Sequence, residues 1–137
     1  MIYLKSILTV KDNSGLKYVK VIKLLGNSSF KKQVNIGDLI VTSIYERKKI
    51  DLKEKKKLIK KTINKALIVS TKKPFARKDG VFVKYDKSSC IIFNSDIKEL
   101  DIHDKKKKVN LKLFVPVIKE LNTKDYKQIV YYAQKIY

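Results

Sequence analysis

Lys72, Lys73, Arg77 and Lys78 crowd one short stretch between two apolar runs. Cations spaced this way suit the displacement of condensed counterions from a phosphate backbone. Lys17, Lys20, Lys31 and Lys32 extend the pattern upstream. A cationic arm from Arg47 to Lys61 adds Lys48, Lys49, Lys53, Lys55, Lys56, Lys57, Lys60 and Lys61, and Lys105 to Lys108 form an unbroken run. The bland alternative for each is a solvated charged turn, or a basic arm that orders only on binding. Asn13 and Ser14, in Asp12-Asn13-Ser14-Gly15, have two readings. They lock a turn through local hydrogen bonds, or they also donate to RNA phosphate or sugar. Phe75, Tyr18 and Tyr45 are either core residues or stacking platforms for bases.

Catalytic chemistry has little to assemble from. His103 is the sole histidine, so neither a histidine-based triad nor a metal cluster can form around it. Cys90 is the only cysteine and lies in an apolar run, which reads as a buried structural thiol rather than a nucleophile. Asp12, Asp38, Asp79 and Asp86 fall in turns, and no glycine-rich phosphate loop is present. The expectation is a non-enzymatic chain with no cofactor and no metal.

The chain has 137 residues, 33 Lys+Arg against 13 Asp+Glu, and a formal net charge of +20. At 44% hydrophobic it can build a core, so it is not a disordered basic tail. So much uncompensated charge strains a compact state unless a polyanion neutralises it, and nucleic acid is the commonest one. No apolar run approaches the ~20 residues that span a bilayer. Arg47 and Arg77 are the only arginines. Lysine suits phosphate as a point charge, whereas arginine is preferred for bidentate reading of base edges. The bias therefore points to backbone contact; an AT-rich genome would also favour lysine over arginine. Met1-Ile2-Tyr3 runs straight into strand-like sequence, which reads as no leader.

Short strands must position these cations. Ile7 to Val10 is the first, followed by the Asp12 to Gly15 turn. Tyr18 to Leu25 is the second, with Val19, Val21 and Leu25 sharing a face opposite Lys20 and Leu24. Ile36-Gly37-Asp38 is a turn before a third strand, Leu39 to Tyr45, and Ala66 to Thr71 returns to the core. Asp79-Gly80 and Asp86-Lys87 make turns around two further strands. Residues 96–110 read as a polar insertion, Leu111 to Val115 as an extended piece, and Pro116 as the opening of a short helix, Val117 to Leu121. Thr123 is a plausible N-cap for a second helix to about Lys135, whose apolar face is Tyr126, Ile129, Val130 and Ala133. The expected fold is mainly β. It is one domain over 1–137: a small closed or nearly closed barrel over 1–95 with a basic arm at about 47–61, either a projecting β-ribbon or a short charged helix, and a C-terminal helical cap within 111–137. Closure would remove the edges that many short strands otherwise expose.

Three ordered blocks resemble the universal large-subunit ribosomal protein family numbered fourteen. They are Val10-x-Asp12-Asn13-Ser14-Gly15 with Leu25-Gly26 and Gly37-Asp38-x-Ile40; the Ala66 to Phe93 stretch with Asp79-Gly80, Tyr85 and Ser88; and Phe114-x-Pro116-Val117-x-x-Glu120-Leu121 with Lys127, Ile129 and Ala133. The resemblance covers nearly the whole chain. It implies a five-stranded barrel with a projecting hairpin and C-terminal helices. It also implies a structural protein that binds large-subunit rRNA, packs beside neighbouring ribosomal proteins and meets small-subunit rRNA in an intersubunit bridge. A ribosomal silencing factor docks on this family, and Leu111, Lys112, Lys124 and Lys127 correspond to the interface or silencing-factor surface. The usual Gly-Thr-Arg before the C-terminal Phe is Asn110-Leu111-Lys112 here, and the usual Gly after it is Val115, which changes the surface that partner would meet. Composition, start of chain and divergence together suggest a mitochondrial, organelle-encoded protein, with a plastid or an AT-rich bacterium as alternatives. A stand-alone single-strand nucleic-acid-binding barrel is the competing function; it would show aromatics along one exposed strand face and a continuous groove.

Overall fold

The computed structural model describes residues 2–25, 34–49, 62–93, 112–123 and 127–137. Five strands form a closed barrel: β1 (Ile7–Val10), β2 (Leu16–Leu24), β3 (Leu39–Arg47), β4 (Ile63–Ser70) and β7 (Ser89–Phe93). β5 (Phe75–Ala76) and β6 (Phe82–Val83) make a separate small hairpin. Successive barrel neighbours are antiparallel, except that β1 meets β7 in parallel. The odd strand count forces this, because an alternating up-and-down ring of five cannot close without one parallel seam.

Inward-facing side chains fill the barrel: Leu8 and Val10 from β1, Leu16, Val19 and Val21 from β2, Ile40 from β3, Ala66 and Ile68 from β4, Cys90 and Ile92 from β7. Thr42 also faces in, and its hydroxyl donates to the Asn64 carbonyl at 3.2 Å. Ile2, bridged to Val34, packs onto the same core.

The second strand corrects the expected phase. It starts at Leu16, and Leu24 rather than Leu25 packs on the barrel core beside Val19 and Val21. Register shifts against β3 lie between Leu16 and Val19 and between Val21 and Lys23. Each irregularity leaves two consecutive residues on the outside, first Lys17 and Tyr18, then Ile22 and Lys23. A bulge of this kind re-aims side chains and offsets simple alternation.

From Ala66 onward β4 is buried on both faces. Ala66 and Ile68 point into the barrel, while Leu67 and Val69 join a second core outside it. That core holds Ile91, Leu113, Val115, Val117, Ile118, Leu121, Ile129 and Val130, with Phe75, Val83 and Tyr85 packed against it. The continuous apolar run Ala66-Leu67-Ile68-Val69 is the sequence signature of a strand without a wet face.

The C-terminal region departs from the expected strand and helices. Leu113 and Val115 are buried, but residues 112–116 lie against the barrel wall without joining its ladder, since a closed barrel offers no free edge. Pro116 does not open a helix: Val117 bridges Ile136, and a 3-10 turn follows at Lys119–Thr123. The helix α1 is only Lys127–Tyr132. It stops early because 135–137 return to pair with 117–119, through Val117 N–H to the Lys135 carbonyl (2.9 Å), Lys119 N–H to the Tyr137 carbonyl (2.8 Å) and Tyr137 N–H to the Val117 carbonyl (3.0 Å). Ile129 and Val130 are buried as the helical spacing predicts. Tyr126, the arm beyond Lys49 and the 96–110 insertion lie outside the described residues.

Two-sided burial of β4 predicts that Leu67→Ala and Ile68→Ala are both costly, each by about 2–5 kcal/mol. Denaturant unfolding of the purified variants measures this, and a near-zero cost for Leu67→Ala would contradict an outer core over β4.

Candidate nucleic-acid interface

The barrel has two ends and one uncovered wall, and all carry cations. At the first end, the β1–β2 turn is fixed by Asp12, which is almost wholly buried. Its carboxylate accepts the Ser14 N–H at 2.8 Å and the Ile92 N–H at 2.7 Å. Gly15, at φ 81°, turns the chain into β2 where a Cβ would be strained. Asn13 is exposed, and its side-chain oxygen accepts the Lys112 N–H at 3.5 Å. The Ser14 hydroxyl is buried, with no partner among the described residues. Lys48 leaves β3 beside this turn: its N–H donates to the Gly15 carbonyl at 3.0 Å, and its ammonium lies 5.6 Å from the Phe114 ring. Arg47 closes β3 opposite Leu16, and Lys49 is exposed just beyond. The first turn, the root of the arm and Lys112 therefore meet at one end, although they are far apart in sequence.

At the opposite end, Lys72 and Lys73 are exposed on the loop after β4. The Thr71 hydroxyl donates to the Lys73 carbonyl at 3.1 Å and Ser88 Oγ accepts the Lys72 N–H at 3.3 Å, which fixes the loop. Lys78 is exposed in the β5–β6 turn, where Gly80 has φ 86° and the Arg77 N–H donates to the Val81 carbonyl at 2.9 Å. Arg77 itself turns inward. Its Nε lies 2.6 Å from Glu120 Oε1, and its Nη2 donates to Glu120 Oε2 at 3.3 Å and to the Tyr137 carbonyl. The Tyr85 hydroxyl donates to the Pro116 carbonyl at 3.1 Å, and burial raises its pKa. These contacts clamp the small hairpin to the C-terminal segment.

The uncovered wall carries Lys20, Lys23 and Lys65. Lys20 stands between Ile7 and Ser43, while Lys23 and Lys65 flank Val41 in one row across three strands. Neither Lys23 nor Lys65 was singled out by sequence. Lys20 and Lys23 are three apart, so a regular strand would put them on opposite faces; only the bulge brings both outward. Lys17 pairs with Glu46 at 2.8 Å, and that bond raises its pKa. A phosphate approaching Lys17 or Arg77 must therefore compete with a carboxylate.

Of the other residues with an expected role, Lys31, Lys32, Lys53, Lys57, Lys60, Lys61, Leu111 and Lys124 lie outside the described residues, and Lys127 begins α1. Burial, with the Asp12 charge nearby, pushes the Cys90 thiol pKa far up, so it does not serve as a thiolate nucleophile. Among the described residues, no group of three or more His, Cys, Asp and Glu side chains could hold a metal ion.

A closed five-strand barrel with a C-terminal cap and cations on three surfaces is an architecture suited to RNA packing. The profile of the family described as Ribosomal protein L14p/L23e matches residues 1–137. The chain belongs to that family. It is accordingly a structural, non-enzymatic member of the large ribosomal subunit, whose partners are rRNA and other large-subunit proteins. The whole-chain match favours the ribosomal reading over the competing stand-alone barrel.

Two predictions follow from this geometry. Arg77→Ala should raise amide exchange at Val117, Lys119 and Tyr137 while leaving Ile92 protected, and Arg77→Lys, which keeps the charge but not the fork, should fall between. Equal exchange in all three proteins would remove the clamp. For Cys90, the folded pKa lies above the unfolded one, so the neutral thiol's contribution is complete below about pH 8.5 and is lost as pH rises further. Cys90→Ala should flatten the alkaline decline in stability; parallel stability curves for the two proteins above that pH would refute the coupling.

Proposed function

We propose that this ribosomal protein binds large-subunit rRNA electrostatically, through the lysines at both barrel ends and on the uncovered wall. The observation that carries the reading is asymmetry. The C-terminal segment and small hairpin cover the outer faces of Leu67, Val69 and Ile91, while Lys20 and Lys23 on the opposite wall, and Lys65 near the start of β4, stay exposed. One side is committed to a protein core; the other is left charged.

Asn13, Lys48, Lys49 and Lys112 form a second phosphate-binding end, with the arm from Arg47 reaching further into rRNA. The C-terminal side, with Leu111, Lys112, Lys124 and Lys127, faces the small subunit and contributes to a bridge with its rRNA. A silencing factor would dock on the same surface, altered by Leu111 and Lys112. Lysine-rich composition supports a ribosome in the mitochondrial matrix.

Sedimentation of native organelle lysate on sucrose gradients, with detection by mass spectrometry, tests the reading. The chain is expected with the large subunit and the monosome at moderate salt and to dissociate as salt rises, because each phosphate contact released contributes to the salt dependence. Recovery only as a free species at the top of the gradient would overturn it.

A further inference from the structure

The parallel seam between β1 and β7 opens outward into a groove of about 440 Å³. This is within the range of about 300–1,000 Å³ that holds small organic ligands. Its walls combine Tyr18, Ile7, Thr9 and Ser88 with Lys72 and Lys87, and among the described residues no carboxylate lines it. Tyr18 reaches the groove by ordinary alternation, outward beside Val19 and opposite Thr9 of β1, and the first β2 bulge adds Lys17 next to it on the outer wall. Lys17, tethered to Glu46, holds its ammonium 5.2 Å from the centre of the Tyr18 ring and fixes that ring as a wall.

A hydroxyl cluster anchors the backbone that bears the two cations. Ser70 Oγ donates to the Lys87 carbonyl at 2.9 Å and lies 2.6 Å from Ser89 Oγ, while Ser88 Oγ accepts the Lys72 N–H at 3.3 Å. The Thr9 N–H donates to the Ser88 carbonyl at 3.3 Å, which ties the cluster to β1. The backbone that bears each lysine is thus anchored before any ligand arrives, so the ordering left to binding is that of the lysine side chains.

We propose that this groove receives one unstacked nucleotide of the large-subunit rRNA, its base against Tyr18 and Ile7 and its flanking phosphates beside Lys72 and Lys87. The inference rests on the rRNA-binding reading above and adds to it a specific pocket. An aromatic and apolar wall suits the face of a base of any sequence, and hydroxyls suit the ribose. The two ammonium groups suit the phosphates on either side. The uniformly positive lining disfavours a basic protein segment, and the open mouth lets a continuous strand enter and leave.

Full-length protein titrated with purified large-subunit rRNA tests the groove. Tyr18→Phe should bind like the native protein, whereas Tyr18→Leu, which keeps bulk but not the ring, should bind about 5- to 100-fold more weakly. Lys72→Ala with Lys87→Ala should lower the slope of log affinity against log salt by about 1.4, two single-strand phosphate contacts' worth. Native and variant proteins with the same affinity and slope would overturn the groove while leaving rRNA binding intact. Failure of the native protein to bind rRNA would overturn both readings together. Saturation of the groove by a free nucleoside monophosphate, read as protection of Lys72 and Lys87 from acylation, would reassign it to a soluble nucleotide and overturn the proposal. In large subunits isolated from the source, ultraviolet cross-linking should give a nucleotide adduct on the Tyr18 peptide, and adducts confined to other peptides would count against it.

Discussion

A ring of five strands can close only if one neighbouring pair runs parallel, and here that pair is β1 and β7. The seam is short, so its own backbone bonds are few. A side chain secures one end of it, and a backbone bond from the Thr9 N–H to the Ser88 carbonyl secures the other. At one, the buried Asp12 carboxylate draws the Ile92 N–H across the seam and closes the following turn through Ser14. Hydrogen bonds to a charged group contribute about 1.5–3 kcal/mol each, and an abandoned buried donor costs on a similar scale. At the other, Ser70, Ser88 and Ser89 join the ends of β4 and β7 to the loop bearing Lys72. The interior, the first turn and the groove all depend on this join.

The second constraint is the cover on β4. A strand with no wet face must be packed on its outer side, and the chain does this with its own C-terminal segment. Leu113, Val115 and Val117 lie against Leu67 and Val69, and Arg77 bound to Glu120 fastens the small hairpin to the same segment. Covering one wall determines which wall keeps its cations exposed. Self-repulsion among the cations then falls on surfaces where a polyanion can relieve it. Core burial and exposed charge therefore occupy different faces of one barrel.

The turns were legible because they rest on local chemistry: Asp12 to Gly15, Gly37-Asp38 and Asp79-Gly80 each use a side-chain oxygen or a positive φ within a few residues. Barrel class was legible from strand number, and the match over residues 1–137 agrees with the three blocks that suggested the family. Short helical elements are present in the C-terminal region, but they are shorter than the apolar spacing suggests. Their apolar spacing is real, but the backbone of 117–119 finds partners in 135–137, and a pairing between two segments leaves no mark in the periodicity of either.

The sequence by itself determined the charge, the lack of material for a catalytic cluster, the places where the chain turns and the run that is buried on both sides. Each follows from residue type or from neighbours a few positions apart. Only the tertiary structure decided which cations remain available. Lys17 and Arg77 look no different from Lys20 and Lys78 along the chain, yet the first two meet Glu46 and Glu120 across distant strands and turns. Lys23 faces outward through a register shift set by pairing with β3, and Lys72 joins Lys87 because antiparallel pairing brings the end of β4 beside the start of β7. Charge is a property of a residue; its address on a surface is a property of the closed fold.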